Sequence, residues 1–359
     1  MTSRSRWVLA AVSGLALLAP GAAQAAVKKV FVGTPPTASK SFQKYGADVN
    51  AYFPSSIAIR RGDSVRFQPV GFHDVHFLGR NGRQTTPFVP TGRTIAGVND
   101  AAGIPFWFNG RPELGPNPNV FTPNGKLGKT VVTDGTKEIF SGAPLADRPR
   151  PMTVRFTKAG LFRYYCSIHP GMKGAVRVAA RNRPVPSAAA DARRVKLQVA
   201  KALTKAKTLG KAAVPTNTVD VGRAAPGGVS LFAFLPAKRT VPVGTTMTFR
   251  MQTGDFETHT VTVGPGDPSK DPKSYLGALA ASLESPAARQ EALYPSDLPT
   301  APAALTPALH GNGFWNSGGM DPVRASPLPQ TSRVTFAAAG TYTLWCLIHP
   351  FMKATVTAR

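Results

Sequence analysis

Two short stretches of the sequence carry the same three side chains at the same spacing: a thiol, an imidazole and a thioether. The motif Cys-x-x-His-x-x-Met occurs in YYCSIHPGMKG and again in LWCLIHPFMKA, and its six members are Cys166, His169, Met172, Cys346, His349 and Met352. The chain has only two cysteines, and each lies in one copy of the motif. This repetition favours a shared chemical role over two buried structural cysteines with incidental neighbours.

One further histidine in each half could complete a metal site. His73 lies in GFHDVHFLG and His259 in FETHTVTV, each in a segment predicted as a strand and each followed two residues on by a valine. A cysteine thiolate with two imidazoles and a distant thioether is the ligand set of a blue-copper electron-transfer centre, since soft sulfur and imidazole nitrogen suit both oxidation states of copper. Pro170 and Pro350 follow the loop histidines directly and are expected to stiffen each loop.

The two motifs belong to a long internal repeat. An offset of 180 residues aligns residues 154–174 with 334–354, and an offset of 182 aligns 51–67 with 233–249. A period of this length exceeds that of solenoid repeats and indicates two copies of one domain. We therefore predict a signal peptide at 1–25, a first domain at 26–180, a linker with a helix at 181–213 and a second domain at 214–359.

The pattern within each copy predicts an all-β fold. Runs of β-branched and aromatic residues lie between Gly, Pro and Asp, as at 64–67, 152–156 and 246–251. Such short strands in two copies indicate tandem β-sandwiches with long loop insertions.

One amphipathic helix is predicted between the copies. Ser187 suits an N-cap and Gly210 a helix end. The apolar positions of this segment alternate at spacings of four and three, and they are Val195, Val199, Ala202, Ala206 and Leu209. The other faces are basic, which we interpret as a solvated surface, with a docking site for an acidic partner as the alternative.

The ligand loops resemble those of the cupredoxin family, of the plastocyanin and azurin type. The spacing Cys-x-x-His-x-x-Met with HPFM is similar to the amicyanin form of the loop, and FHDVHF resembles the strand that carries the first ligand. The resemblance implies Greek-key sandwiches and two type 1 copper sites, with loop histidines nearest the surface. The first implied ligand set is His73, Cys166, His169 and Met172, and the second is His259, Cys346, His349 and Met352.

The two implied sites differ from small family members and from each other. Between the first histidine and the cysteine lie 92 residues in the first half and 86 in the second, far more than in the small members. The residue before the methionine is Gly171 in one loop and Phe351 in the other. We expect Phe351 to exclude water better, so that the two sites titrate in separable redox steps.

We predict single-electron transfer between redox protein partners, without enzymatic turnover. Copper storage or delivery uses the same ligands and is the alternative, which requires ready release of Cu(I) to an acceptor. A copper oxidase or nitrite reductase needs additional histidines. The chain has six, so that only His76 and His310 remain outside the two sites, and it contains no His-x-His or His-Cys-His run.

Four other residues have packing interpretations. Strand alternation is expected to turn His76 away from a metal bound at His73, and His310 is interpreted as an ordinary loop residue. Trp107 in PFWFNGRPE and Trp315 in GFWNSGGMD occupy the two insertions and are expected to pack beneath loops. The alternative is that these tryptophans shield copper or form part of a partner surface.

The first 25 residues have the pattern of a secretory signal. Arg4 and Arg6 precede the apolar run WVLAAVSGLALLA, and Ala23-Gln24-Ala25 suits cleavage. The run is too short to span a bilayer comfortably, so we favour cleavage over a retained anchor. We therefore predict a periplasmic or extracellular protein with no transmembrane segment after signal removal.

The chain is strongly basic. Its formal net charge is +25, and loss of Arg4 and Arg6 with the signal lowers this to +23. This charge favours acidic partners, while the absence of a nucleic-acid-binding motif argues against a nucleic-acid partner. A disulfide between the two cysteines would consume the same residue of both motifs, so we predict free thiols.

Overall fold

The computed structural model describes residues 25–125, 127–146, 148–285, 287–323 and 326–359. The predicted signal peptide lies outside these ranges except for Ala25. Within the described ranges, no helix is both long enough and apolar enough to cross a membrane.

The chain is built mainly from β-strands, which confirms the predicted fold class. The strands of the first half are β1 (Val27–Val32), β2 (Ala47–Val49), β3 (Tyr52–Phe53), β4 (Ser56–Arg60), β5 (Ser64–Pro69), β6 (His76–Phe77), β7 (Phe88–Thr94), β8 (Pro112–Pro116), β9 (Thr130–Thr133), β10 (Ile139–Phe140), β11 (Met152–Phe156), β12 (Gly160–Tyr165) and β13 (Lys173–Ala179). Those of the second half are β14 (Thr218–Ala225), β15 (Val229–Leu235), β16 (Lys238–Val241), β17 (Thr246–Arg250), β18 (Thr262–Val263), β19 (Ala303–Leu305), β20 (Trp315–Asn316), β21 (Thr331–Phe336), β22 (Gly340–Trp345) and β23 (Lys353–Ala358).

Each half contains two large sheets around one apolar core, and β7 and β8 of the first half form a separate two-stranded sheet. In the first half the strand orders are β3-β1-β5-β11-β9 and β10-β6-β12-β13-β4, and in the second they are β19-β21-β17-β14-β15-β2 and β16-β23-β22-β18-β20. Alternation along the strands supplies the cores: Met152, Val154 and Phe156 of β11 are buried, whereas the intervening Arg155 is exposed. Cys166 and Cys346 lie in these two separate cores as free thiols.

Helices occupy the connections. They are α1 (Pro36–Gln43), α2 (Pro118–Phe121), α3 (Ala188–Leu209), α4 (Tyr275–Ser282) and α5 (Gln290–Leu293), with one 3₁₀ turn at Leu309–Gly311. Helix α3 confirms the predicted linker helix, and Ser187 Oγ accepts the hydrogen bond of the Ala190 N–H at 3.2 Å as its N-cap. Its predicted apolar face packs into a core described next.

The two halves share a sheet edge and a core. Strand β2 of the first half pairs antiparallel with β15 of the second, with Val49 opposite Val229. Beneath this pairing lies a cluster formed by α1, α3 and both strands, in which Phe42 and Phe53 are at most 1% exposed. Burial of two phenylalanines is worth several kcal/mol, at roughly 1.5–3 kcal/mol per large apolar side chain. The interface therefore fixes one half against the other.

The long insertions pack against each other as well. Trp107 of the first insertion donates a hydrogen bond from Nε1 to the Pro295 carbonyl oxygen at 2.9 Å. Its ring also contacts Tyr294 edge-on, with the ring centroids 6.2 Å apart. Trp315 lies in β20 and packs on Phe249 in the second sandwich core. Both tryptophans thus have the packing roles predicted for them.

Candidate metal centres

The first predicted site brings three donor atoms together. His73 Nδ1 lies 2.9 Å from His169 Nδ1, and Cys166 Sγ lies 3.6 Å from the same His169 nitrogen. The donor atoms of all three residues fall within 4.8 Å of one another. His73 is 5% exposed, His169 is 7% exposed and Cys166 is fully buried. Two imidazoles that direct their Nδ1 atoms at a buried thiol form a pocket that could hold a metal ion.

The second site repeats this geometry. His259 Nδ1 and His349 Nδ1 are 3.1 Å apart, and each lies 3.7 Å from Cys346 Sγ. These donors also lie within 4.8 Å of one another. The structure therefore brings together the histidines and cysteine of each predicted ligand set.

Each ligand loop is closed by a reciprocal pair of backbone hydrogen bonds. Met172 N–H donates to the His169 carbonyl oxygen at 3.0 Å, and Cys166 N–H donates to the Met172 carbonyl oxygen at 3.0 Å. In the second loop, Met352 N–H donates to the His349 carbonyl oxygen at 2.8 Å, and Cys346 N–H donates to the Met352 carbonyl oxygen at 3.2 Å. Both methionine side chains are 1% exposed and lie in the same core as the cysteine of their half. Metal ligation by these thioethers stays a prediction.

A glycine lies against the ring of the first histidine in each site. A Cβ built on Gly33 would lie 2.6 Å from His73 Cδ2, and one built on Gly222 would lie 2.7 Å from His259 Nε2. Both glycines have positive φ, +107° and +72°, which other residues rarely adopt. Close backbone approach therefore confines each imidazole. The alignment of the two repeats did not reveal these glycines, because both precede the aligned segments.

The residue after the first histidine anchors the ligand loop. Asp74 Oδ1 accepts the Ser167 N–H at 2.6 Å, and Thr260 Oγ1 accepts the Leu347 N–H at 2.7 Å. Thr260 also donates its backbone N–H to Cys346 Sγ at 3.4 Å. The two sites share this architecture, but only the first contains a carboxyl group at this position.

Burial sets the protonation chemistry of the donors. Desolvation and the neighbouring loop imidazole lower the pKa of His73 and of His259 to about 3, so both rings are neutral ligands at neutral pH. Burial raises the pKa of Cys346 to about 11 and also raises the pKa of Cys166. A bound cation is therefore needed to hold either sulfur as a thiolate. This donor set fits copper, for which thiolate and imidazole are favoured ligands.

The two sites face a single carboxylate. Glu257 Oε2 lies 3.4 Å from His169 Nε2 and 3.5 Å from His349 Nε2. Its other oxygen, Oε1, accepts a hydrogen bond from Asn50 Nδ2 at 2.7 Å. Burial alone would raise the pKa of Glu257, but the facing imidazoles outweigh it and hold that pKa far below its usual range. A buried anion thus lies between the two loop histidines.

The loop histidines are the more exposed imidazoles of their sites, although neither is open to solvent on all sides. His169 is 7% exposed against 5% for His73, and the His349 side chain is 16% exposed whereas His259 is fully buried. The Nε2 atom of His169 nevertheless faces Glu257. The physical reason is the shared interface, which places the second half over the first loop. In the repeat, Gly71 occupies the position that corresponds to Glu257. A residue present once leaves no signal in a search for duplicated ligands.

The remaining histidines lie outside both donor clusters. His73 precedes β6 in a loop, so the strand-alternation reason given for His76 was wrong, although His76 does point elsewhere. Its Nδ1 lies 2.9 Å from Ser167 Oγ and its Nε2 lies 2.6 Å from Glu138 Oε1. His310 binds two carboxylates in the insertions.

Comparison with known proteins identifies no family for this chain. No family model matches it, and no curated protein does. Among solved structures, the reduced Cu(I) form at pH 4 of a point mutant of amicyanin is 18% identical, with 42% of this chain and 89% of that chain covered and a TM-score of 0.22. The crystal structure of amicyanin from Paracoccus versutus (Thiobacillus versutus) is 18% identical, with 41% and 85% covered and a TM-score of 0.22. Each match spans less than half of this protein.

Proposed function

We propose that the protein is a single-electron carrier with two type 1 copper sites. The observation that carries the proposal is the duplicated cluster in which two Nδ1 atoms and one sulfur lie within 4.8 Å of one another, with every donor residue buried except the partly buried His349. Bound copper supplies the Cu(I)/Cu(II) couple. The proposed ligands are His73, Cys166, His169 and Met172 in the first site and His259, Cys346, His349 and Met352 in the second.

The chain's own groups favour electron transfer because they resist rearrangement. Gly33 and Gly222 confine the first histidines, and reciprocal hydrogen bonds close both ligand loops. A site whose ligands stay in place when the metal changes charge needs little reorganisation for each transfer. The two cysteines and three of the four histidines are buried, and the His349 side chain is 16% exposed, which also limits access of water and of oxidants to the metal.

The test is copper loading of the mature chain, followed by elemental analysis and by visible and EPR spectroscopy. We expect two coppers per chain, intense thiolate-to-copper absorption and two type 1 EPR signals. Cys166→Ser and Cys346→Ser should each remove about half of the absorption, because a hydroxyl is a poor soft donor. Full colour in either variant would overturn the assignment, and a third tight copper with a type 2 signal would indicate an enzyme.

The rate at which Cu(I) is lost distinguishes an electron carrier from the alternative, a copper storage or delivery protein. A carrier should retain Cu(I) through repeated reduction and oxidation in the presence of a competing chelator, whereas a delivery protein should lose it within a few cycles. For the carrier we propose an exported location and redox protein partners with acidic surfaces, since the chain is strongly basic.

A further inference from the structure

We propose that Glu257 couples the two metal sites by acting as the common hydrogen-bond acceptor of both loop histidines. The inference rests on the proposed function, and it goes beyond that function because it makes the two centres one interacting pair. It assigns to Glu257 a positioning role toward both sites, although Glu257 belongs to the second half alone.

The geometry of the bridge is the first step. The same oxygen, Oε2, contacts His169 Nε2 at 3.4 Å and His349 Nε2 at 3.5 Å. Glu257 is 3% exposed, so the two contacts are made away from bulk water. The loop rings therefore approach one another with a single carboxylate oxygen between them.

The second step is the tautomer that this contact selects. Each loop imidazole turns Nδ1 toward its cysteine sulfur, at 3.6 Å for His169 and 3.7 Å for His349. A neutral imidazole that ligates through Nδ1 carries its proton on Nε2. A carboxylate accepts such protons and cannot donate one, so Glu257 favours the ligating tautomer in both rings at once.

The third step is the shared charge. One negative charge stabilises the more positive, oxidised state of either site through its imidazole. When one ring becomes more acidic on oxidation, its Nε2–H draws the carboxylate closer and weakens the contact on the other side. Oxidation of one site should therefore make oxidation of the other less favourable.

Neighbouring residues from both halves hold the Glu257 carboxylate between the two loop histidines. Asn50 of the first half donates to Oε1 at 2.7 Å, and Asn50 directly follows strand β2, whose pairing with β15 joins the halves. The adjacent Phe256 packs over Gly171 of the first ligand loop. Glu257 is thus fixed from both halves and cannot serve its own site alone.

The decisive experiment measures midpoint potentials in single-site chains. Cys346→Ser retains only the first copper, Cys166→Ser retains only the second, and Glu257→Gln is added to each. Loss of the charge should raise both potentials. Asp74→Asn is the matched control, because this buried carboxyl contacts the first ligand loop alone and should raise only the first potential. A Glu257→Gln effect confined to one site, or absent from both, would overturn the proposal.

A second measurement does not depend on copper chemistry. In the chain loaded with Zn(II), which accepts the same nitrogen and sulfur ligands, NMR should detect protected Nε2–H protons on His169 and His349. Glu257→Gln should accelerate solvent exchange of both by roughly tenfold, as expected for one lost hydrogen bond. If that variant does not fold, Asn50→Ala, which frees the carboxylate, should still speed exchange at both rings. Unprotected protons in the parent chain would refute the bridge, whereas colourless copper sites would refute only the proposed function.

Discussion

Phe256 of the second half occupies the space over Gly171 of the first ligand loop. A Cβ built on Gly171 would lie 2.9 Å from Phe256 Cζ and closer still to two other ring carbons. The corresponding loop residue in the second site, Phe351, is 64% exposed. The Phe351 ring contacts the His349 ring, with the centroids 5.9 Å apart, so the shielding of the second loop by Phe351 stays a prediction. The loop with glycine takes its cover from the other half.

Gly171→Ala should destabilise the protein more than a matched glycine substitution. Gly171 has φ of +116° and Gly254 has φ of +92°, but a Cβ on Gly254 meets nothing within 4 Å. Gly254→Ala should lower the free energy of unfolding by about 1 kcal/mol through backbone strain alone. Gly171→Ala should lower it by about 3 kcal/mol, because Phe256 must also move. Urea unfolding of the two variants measures this difference, and equal costs would show that Phe256 yields freely.

Asp74→Asn should raise the potential of the first proposed copper site and leave that of the second unchanged. The carboxyl group lies beside the first ligand loop, where its negative charge favours the oxidised metal, and the second loop has Thr260 at this position. Asparagine retains an oxygen that can accept the Ser167 N–H. Spectroelectrochemical titration of both sites checks the prediction. An unchanged first potential would mean that this carboxyl carries no charge in the folded protein.

Protein stability should fall as the pH rises through the titration of His310. Its Nδ1 lies 3.1 Å from Asp100 Oδ2 and its Nε2 lies 3.3 Å from Asp297 Oδ2, which joins the two insertions. Burial would lower the pKa of His310, but the two carboxylates outweigh it and raise that pKa above its usual value. Its stabilising contribution is therefore complete below about pH 6.5, the unfolded value, and is lost as the pH rises through the raised folded pKa.

His310→Gln is the variant that isolates this contribution. At pH 6 it should unfold with about 1–2 kcal/mol less stability than the parent, because hydrogen bonds to charged groups are lost. Above the folded pKa of His310 the two proteins should converge. A difference that does not vary with pH would assign His310 a packing role only.

Phe42→Ala should uncouple the two halves. Phe42 is 1% exposed in the shared core beneath β2 and β15. Truncation of its side chain to alanine should lower the free energy of unfolding by about 3–5 kcal/mol. Phe234, fully buried in the second sandwich core, is the matched control. Calorimetry should show one unfolding transition for the parent and for Phe234→Ala, but two for Phe42→Ala. Two transitions in the parent would contradict the coupling.

The sequence predicted what is duplicated or periodic. The two Cys-x-x-His-x-x-Met loops, the helix capped by Ser187 and the strands around Phe67 and Phe156 follow from spacing and alternation, which are local properties. Glu257 and Asn50 could not be found this way, because each occurs once and acquires its role only when the halves meet. The same holds for Gly33, whose importance lies in a close approach to His73 that no local pattern encodes.

The pairing of β2 with β15 also sets an order of assembly. Residues 47–49 leave the ribosome about 180 residues before their partner strand at 229–235. Until then the first half has a strand with unpaired backbone groups and an uncovered apolar flank at Phe42, both of which invite intermolecular pairing. The duplicated halves therefore cannot mature one after the other, and a chain that stops after the first half should be prone to aggregation.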